Sequence, residues 1–122
     1  MKKTFITLCA LALMSSCYYD NASELYPEGA LKDCDSVAIT YTNYVAPLFS
    51  TNCGTNNSCH SAAIAEGGII LDTYSSAAAV DTTTLLGCIE HLQGFSPMPP
   101  SGKMGDCGIN QIKIWVRTGK PL

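Results

Sequence analysis

The residues in this chain best equipped for chemistry lie in the run Cys53-Gly54-Thr55-Asn56-Asn57-Ser58-Cys59-His60. A Cys followed at once by His, with a second Cys upstream, is the arrangement that attaches a c-type haem. The thiols add to the vinyl groups, and the adjacent His faces the iron as proximal ligand. The usual motif leaves two residues between the cysteines, whereas five intervene here. Taken alone, the run reads more readily as a disulfide loop beside a surface His, so the rest of the chain has to decide.

Axial ligation needs a second donor, and the segment Gly94 to Gly102 offers one. It holds Met98 among Pro97, Pro99 and Pro100. Three prolines between two glycines exclude a helix or a central strand and give a stiff loop. A Met fixed in such a loop is an odd core filler, because Met is valued there for flexibility. Met104 is the alternative thioether, with Lys103 and Gly105 marking it as exposed. His91 would allow a bis-histidine site, or else lies on the outer face of a short helix. A purely thiol-redox or metal site fits less well, since the chain has no Cys-x-x-Cys spacing and only two histidines.

Elements at both ends are able to hold these residues. Tyr41, Tyr44, Val45, Leu48 and Phe49 fall at helical spacing. Thr40 or Thr42 is the cap candidate, and Pro47 suits the first turn of a helix that runs into Cys53. Before it, Val37 and Ile39 alternate with smaller residues as a short extended lead-in. At the other end, Asp106 is an N-cap candidate, and Ile109, Ile112, Trp115 and Val116 form an apolar stripe. Gly119 and Pro121 stop that helix. Between the two, 75–80 and 85–92 are short helical candidates, and Gly67-Gly68 breaks the chain before Ile69-Ile70-Leu71. The expected fold class is all-α, with N- and C-terminal helices bracketing the motif.

Composition bounds the setting. The 122 residues suit one domain, the formal charge is −3, and no basic run suggests nucleic acid. Seven cysteines point to an oxidising compartment. Lys2 and Lys3 precede an apolar run from Phe5 to Met14, followed by Ser15, Ser16 and Cys17, the layout of an export signal. A Cys after small residues resembles a bacterial lipobox, so residues 1–16 are expected to be removed and Cys17 lipidated. Cleavage of an ordinary signal near Ser16 is the alternative. Residues 17–33, with Pro27, Gly29 and no sustained period, read as a tether, and 34–122 as the domain.

Taken in order, the pieces resemble a group of short lipid-anchored bacterial proteins with a class I cytochrome c-like domain. The matching residues are Val45-Ala46-Pro47-Leu48-Phe49, Cys59-His60, the stretch from Gly67 to Tyr74, Met98-Pro99-Pro100, and the stretch from Ile112 to Gly119. The resemblance implies a helical fold closed around a covalent haem c, with His60 and Met98 as axial ligands and Cys59 and Cys53 as thioether donors. It departs at Asn56, where the family carries its first motif Cys. It further implies an electron-transfer protein, not an enzyme, that serves a redox partner in the cell envelope and faces the periplasm or the exterior from a lipid anchor. In the resembled group, residues like Cys34 and Cys107 occur together, which would pair them and leave Cys53 with Cys88. A Cys88–Cys107 bridge across the Met98 loop is the rival.

Counting cysteines favours one thioether. With Cys9 removed and Cys17 lipidated, five remain, and a single thioether at Cys59 is the arrangement that pairs all the others. The second function class is a haem-free lipoprotein, stapled by disulfides at Cys53 and Cys59, that keeps the fold as an interaction scaffold.

The anchor has its own test. Cys17→Ser is expected to shift the protein from the membrane fraction to the soluble fraction, measured by fractionation and immunoblot. Retention in the membrane would contradict lipidation.

Overall fold

The computed structural model describes residues 34–122. The expected signal (1–16) and tether (17–33), Cys17 included, lie outside the described residues. The described chain is helical, and no strand occurs within it.

Thr40 starts the first element, its hydroxyl accepting from the amide of Asn43. One π-helical turn, Tyr41–Val45, runs into α1, Ala46–Asn52. Pro47 lies in the first turn of α1 and has no N–H to give back, so the wider hydrogen-bond ladder changes to the ordinary one there. The lead-in is not regular. Ala38 adopts a positive φ of 52°, which turns Val37 out to 74% exposure while Ile39 is buried.

The middle of the chain carries a 3-10 turn at Glu66–Gly68 and two short helices, α2 (Tyr74–Ala79) and α3 (Thr82–Ile89). Thr73 and Asp81 cap them, accepting from the amides of Ser76 and Thr84. The Asp81 cap starts α3 three residues ahead of the expected Leu85, and the helix stops at Ile89. The last helix, α4, is Asp106–Arg117. Gly105 takes its N-cap position, and Asp106 is the first helical residue, where its charge still favours the helix N-terminus. No helix among the described residues is long and apolar enough to cross a membrane.

The core forms where α1 and the turn before it meet α4. Val45, Phe49, Ile112 and Trp115 are completely buried. The Trp115 ring meets Phe49 edge-on at 6.4 Å and Tyr41 at 6.1 Å. Gly108 brings the helices together, since a Cβ there would lie 3.1 Å from Leu48 Cδ2. The apolar stripe is therefore as expected for Ile109, Ile112 and Trp115, while Val116 is half-buried and Gln111 is buried. The Gln111 side-chain amide donates to the carbonyl of Asp35.

The C-terminal residues lock this crossing. After α4, Lys120 and Gly119 donate their amides to the carbonyls of Trp115 and Val116. The Pro121 carbonyl then accepts both the indole N–H of Trp115 and the amide of Tyr41, each at 2.9 Å. Lys120 Nζ donates to the carbonyls of Ala78 and Val80, which ties the end of α2 to the same point. At the other end of α4, Cys107 is bonded to Cys34, at a sequence separation of 73. Closing a loop of that length is worth about 4 kcal/mol in the chain-entropy account.

The Met98 loop is attached to α3 by packing. A Cβ on Gly87 would fall 2.5 Å from the Phe95 ring, so the ring lies directly on the helix backbone. Replacing an exposed helical Gly by Ala ordinarily stabilises by roughly 1 kcal/mol. Gly87→Ala is expected to do the reverse and lower stability by about 1–3 kcal/mol, because the ring has to move. Thermal unfolding of the purified variant measures the sign, and a neutral or stabilising result would contradict this contact.

Candidate functional site

His60 is held by main chain on both sides. Its amide donates to the carbonyl of Cys53 at 3.2 Å, which closes the five-residue loop between the motif cysteines. Its carbonyl accepts from the amide of Leu71 at 2.9 Å. The side chain is fixed as well. Nδ1 lies 3.1 Å from the carbonyl oxygen of Ile69. A carbonyl can only accept, so Nδ1 carries the proton and Nε2 of the neutral ring keeps its lone pair. A metal-ligating His commonly has this partner, which sets its tautomer and orientation.

Local sequence explains why Ile69 is there. Gly67 and Gly68 both take positive φ, 61° and 75°, a conformation that costs glycine little, and they turn the chain back on the motif. Glu66 donates its amide to the carbonyl of Cys59 at 2.7 Å, and the Asp72 carboxylate accepts the amide of Ala62 at 2.7 Å. Ser61, 2% exposed, bonds through its hydroxyl and its amide to the carbonyl of Ser58.

A cleft of about 590 Å³ opens beside this segment, within the range of cofactor sites. His60, Cys53, Cys59 and Met98 all border it, so the four residues assigned to the site from sequence share one cavity. Much of the remaining wall is apolar, from Ile69, Leu71, Val80, Leu85, Ile89 and Pro99. Among the described residues that border it, Glu66 is the one carboxylate and no Lys or Arg is present. Such a wall suits a large, flat, apolar ligand better than a highly charged one.

The cysteines follow expectation in part. Cys34–Cys107 is a disulfide, whereas Cys53 and Cys88 are not joined, and neither is bonded to Cys59. Cys53 ends α1 half-buried, and burial pushes its thiol up to about 11. Cys59 is exposed. Cys88 borders the same cleft as a free thiol. Three free thiols remove the full pairing that favoured a single thioether. Among the described residues no three His, Cys, Asp or Glu side chains converge to hold a metal ion.

Two other assignments change. Met104 is buried, 7% exposed, and packs in the core under Gly108, not exposed beside Lys103; it does not border the cleft. The apolar contact with the α1–α4 crossing outweighs its polar neighbours. His91 is neither in the cleft nor on the outer face of a helix. It follows the end of α3 with a φ of 57°, and its Nε2 lies 3.2 Å from the Met98 carbonyl.

The fit to a haem is good on these observations. The His has one nitrogen committed to a carbonyl and the other bearing a lone pair, a thioether donor borders the same apolar cleft, and three thiols, Cys53, Cys59 and Cys88, border it as well. Sequence reasoning missed the Ile69 carbonyl, though the Gly67-Gly68 turn, which begins seven residues after His60, was its visible signal. It also missed the partner of Met98, for which adjacent sequence offers none.

No protein-family model, curated protein or solved structure matches the chain.

Proposed function

We propose that this chain is an electron-transfer module of the bacterial cell envelope with a cytochrome c-like fold, holding a covalent haem c in the cleft beside His60. One observation carries the reading above the others. The ring of His60, next in sequence to Cys59, has its Nδ1–H committed to the Ile69 carbonyl and its Nε2 free to ligate. Cys59 would form the thioether that seats the ring on this His, and Cys53 is the second thiol bordering the site. Met98, which borders the same cleft, would be the second protein ligand to the iron.

Bound there, the haem supplies a one-electron ferric–ferrous couple. The chain's own residues determine how that couple behaves. His60 is oriented in advance by main-chain bonds, so ligation costs little reorientation. With His60 and Met98 both holding the iron, the site would serve transfer to a redox partner protein better than catalysis on a bound substrate. A Met ligand and the apolar wall would both favour the less charged ferrous state and raise the potential. The lipid anchor at Cys17 would keep the module on the membrane, facing the periplasm or the exterior. The haem-free scaffold, stapled at Cys53 and Cys59, draws no support from cysteines that are free.

Axial ligation is tested by two methionine variants of the haem-loaded protein. Met98→Ala is expected to lower the reduction potential and abolish the weak near-infrared Met–iron band. Met104→Leu, which keeps core volume at a cost under roughly 1.5 kcal/mol, is expected to leave both unchanged. An unchanged band in Met98→Ala would remove Met98 from the site.

A further inference from the structure

The end of α3 is built in an unusual way, and its peculiarity points at the cleft. Leu92 donates its amide to the Gly87 carbonyl at 2.9 Å, and His91 donates its amide to the Cys88 carbonyl at 3.2 Å. These two bonds define a helix stop whose turning residue takes a left-handed conformation, and glycine is the usual choice for it. Here that residue is His91, with a φ of 57°. Any residue with a Cβ is strained there relative to glycine. The backbone alone therefore gives no reason to prefer a His to a glycine.

The imidazole supplies one. Its Nε2 lies 3.2 Å from the Met98 carbonyl oxygen, so Nε2–H donates across a gap of seven residues in sequence. The Met98 amide donates to the carbonyl of Cys88 at 3.0 Å. Both main-chain polar groups of Met98 are thus bonded to the four residues from Cys88 to His91. That segment is itself tied down, because Glu90 beside His91 pairs with Lys113 of α4 at 2.5 Å. Phe95 on Gly87 fixes the start of the same loop.

We infer that His91 is a positioning residue for Met98: its left-handed backbone turns the imidazole onto the Met98 carbonyl and clamps the loop that presents the thioether to the cleft. His91 does not border the cleft, so it acts through Met98 alone. The effect of the clamp on an iron rests on the haem reading above, whereas the clamp itself does not.

Two variants of the full chain separate imidazole from backbone. His91→Gly keeps the favoured residue for the turn and removes the donor. His91→Gln restores a side-chain N–H the same number of bonds from Cβ. In protein matured with haem, His91→Gly is expected to weaken or abolish the near-infrared Met–iron band and lower the reduction potential, and His91→Gln to restore both. By amide exchange, the Met98 N–H in His91→Gly is expected to open roughly two- to tenfold more readily, the loss of one ordinary hydrogen bond. An unchanged band and unchanged exchange in His91→Gly would overturn the clamp. So would failure of the Gln variant to rescue, or loss of folding in either variant, since both results would make His91 a general fold determinant. If the wild-type chain takes up no haem, the functional reading fails. Exchange at Met98 still decides the clamp in that case: faster in His91→Gly upholds it, and unchanged defeats it.

Discussion

The indole of Trp115 is the point on which the rest of the domain depends. It is completely buried, meets Phe49 and Tyr41 through its ring, and shares the Pro121 carbonyl with the Tyr41 amide. First and last elements are therefore joined by packing and by a carbonyl that accepts from both. Truncating such a side chain to Ala costs about 3–5 kcal/mol, a large part of the stability of so small a domain. The Cys34–Cys107 bond makes a second closure at the start of α4. None of the residues of these two closures borders the cleft, whose wall comes mostly from loops and from α3, although Leu71, Leu85 and Ile89 belong both to that wall and to the core.

That division matters for the site. The His60 loop and the Met98 loop have little regular structure, and each is held through main-chain polar groups. His60 is bracketed by Cys53 and Leu71 and oriented by Ile69. Met98 is bracketed by Cys88 and His91. Donors held this way stay oriented while the apolar wall between them is left for a ligand. A haem would also cover that wall, adding apolar burial the short helices do not supply themselves.

What the sequence disclosed follows from where information is local. Thr40, Pro47 and the 109–112–115 stripe mark α1 and α4 because caps, missing amides and helical period are written in neighbouring residues. The grouping of Cys59, His60 and Met98 on one cleft was legible for the same reason: an adjacent Cys-His pair and a Met among prolines are short-range patterns. The long-range facts were not. Met104 looks exposed beside Lys103 and Gly105, yet the α1–α4 crossing buries it. Asp106 looks like a cap, but Gly105 precedes it in the extended conformation that the position needs. Pairing of Cys53 with Cys88 was what the resemblance implied, and neither resemblance nor counting could show that both thiols border a cavity unjoined. His91 was ambiguous because its role depends on a single dihedral, which no pattern of residue types encodes.

The central claim is that Cys59 and His60 hold a covalent haem, and one measurement addresses it directly. The chain is produced with cytochrome maturation machinery, alongside a Cys59→Ser variant, and intact mass is recorded after acid–acetone extraction. The wild-type chain should retain the mass of one haem and give a c-type haemochrome, and Cys59→Ser should lose the covalent attachment. Wild-type protein that carries no haem mass, under conditions that mature a control cytochrome, would contradict the account.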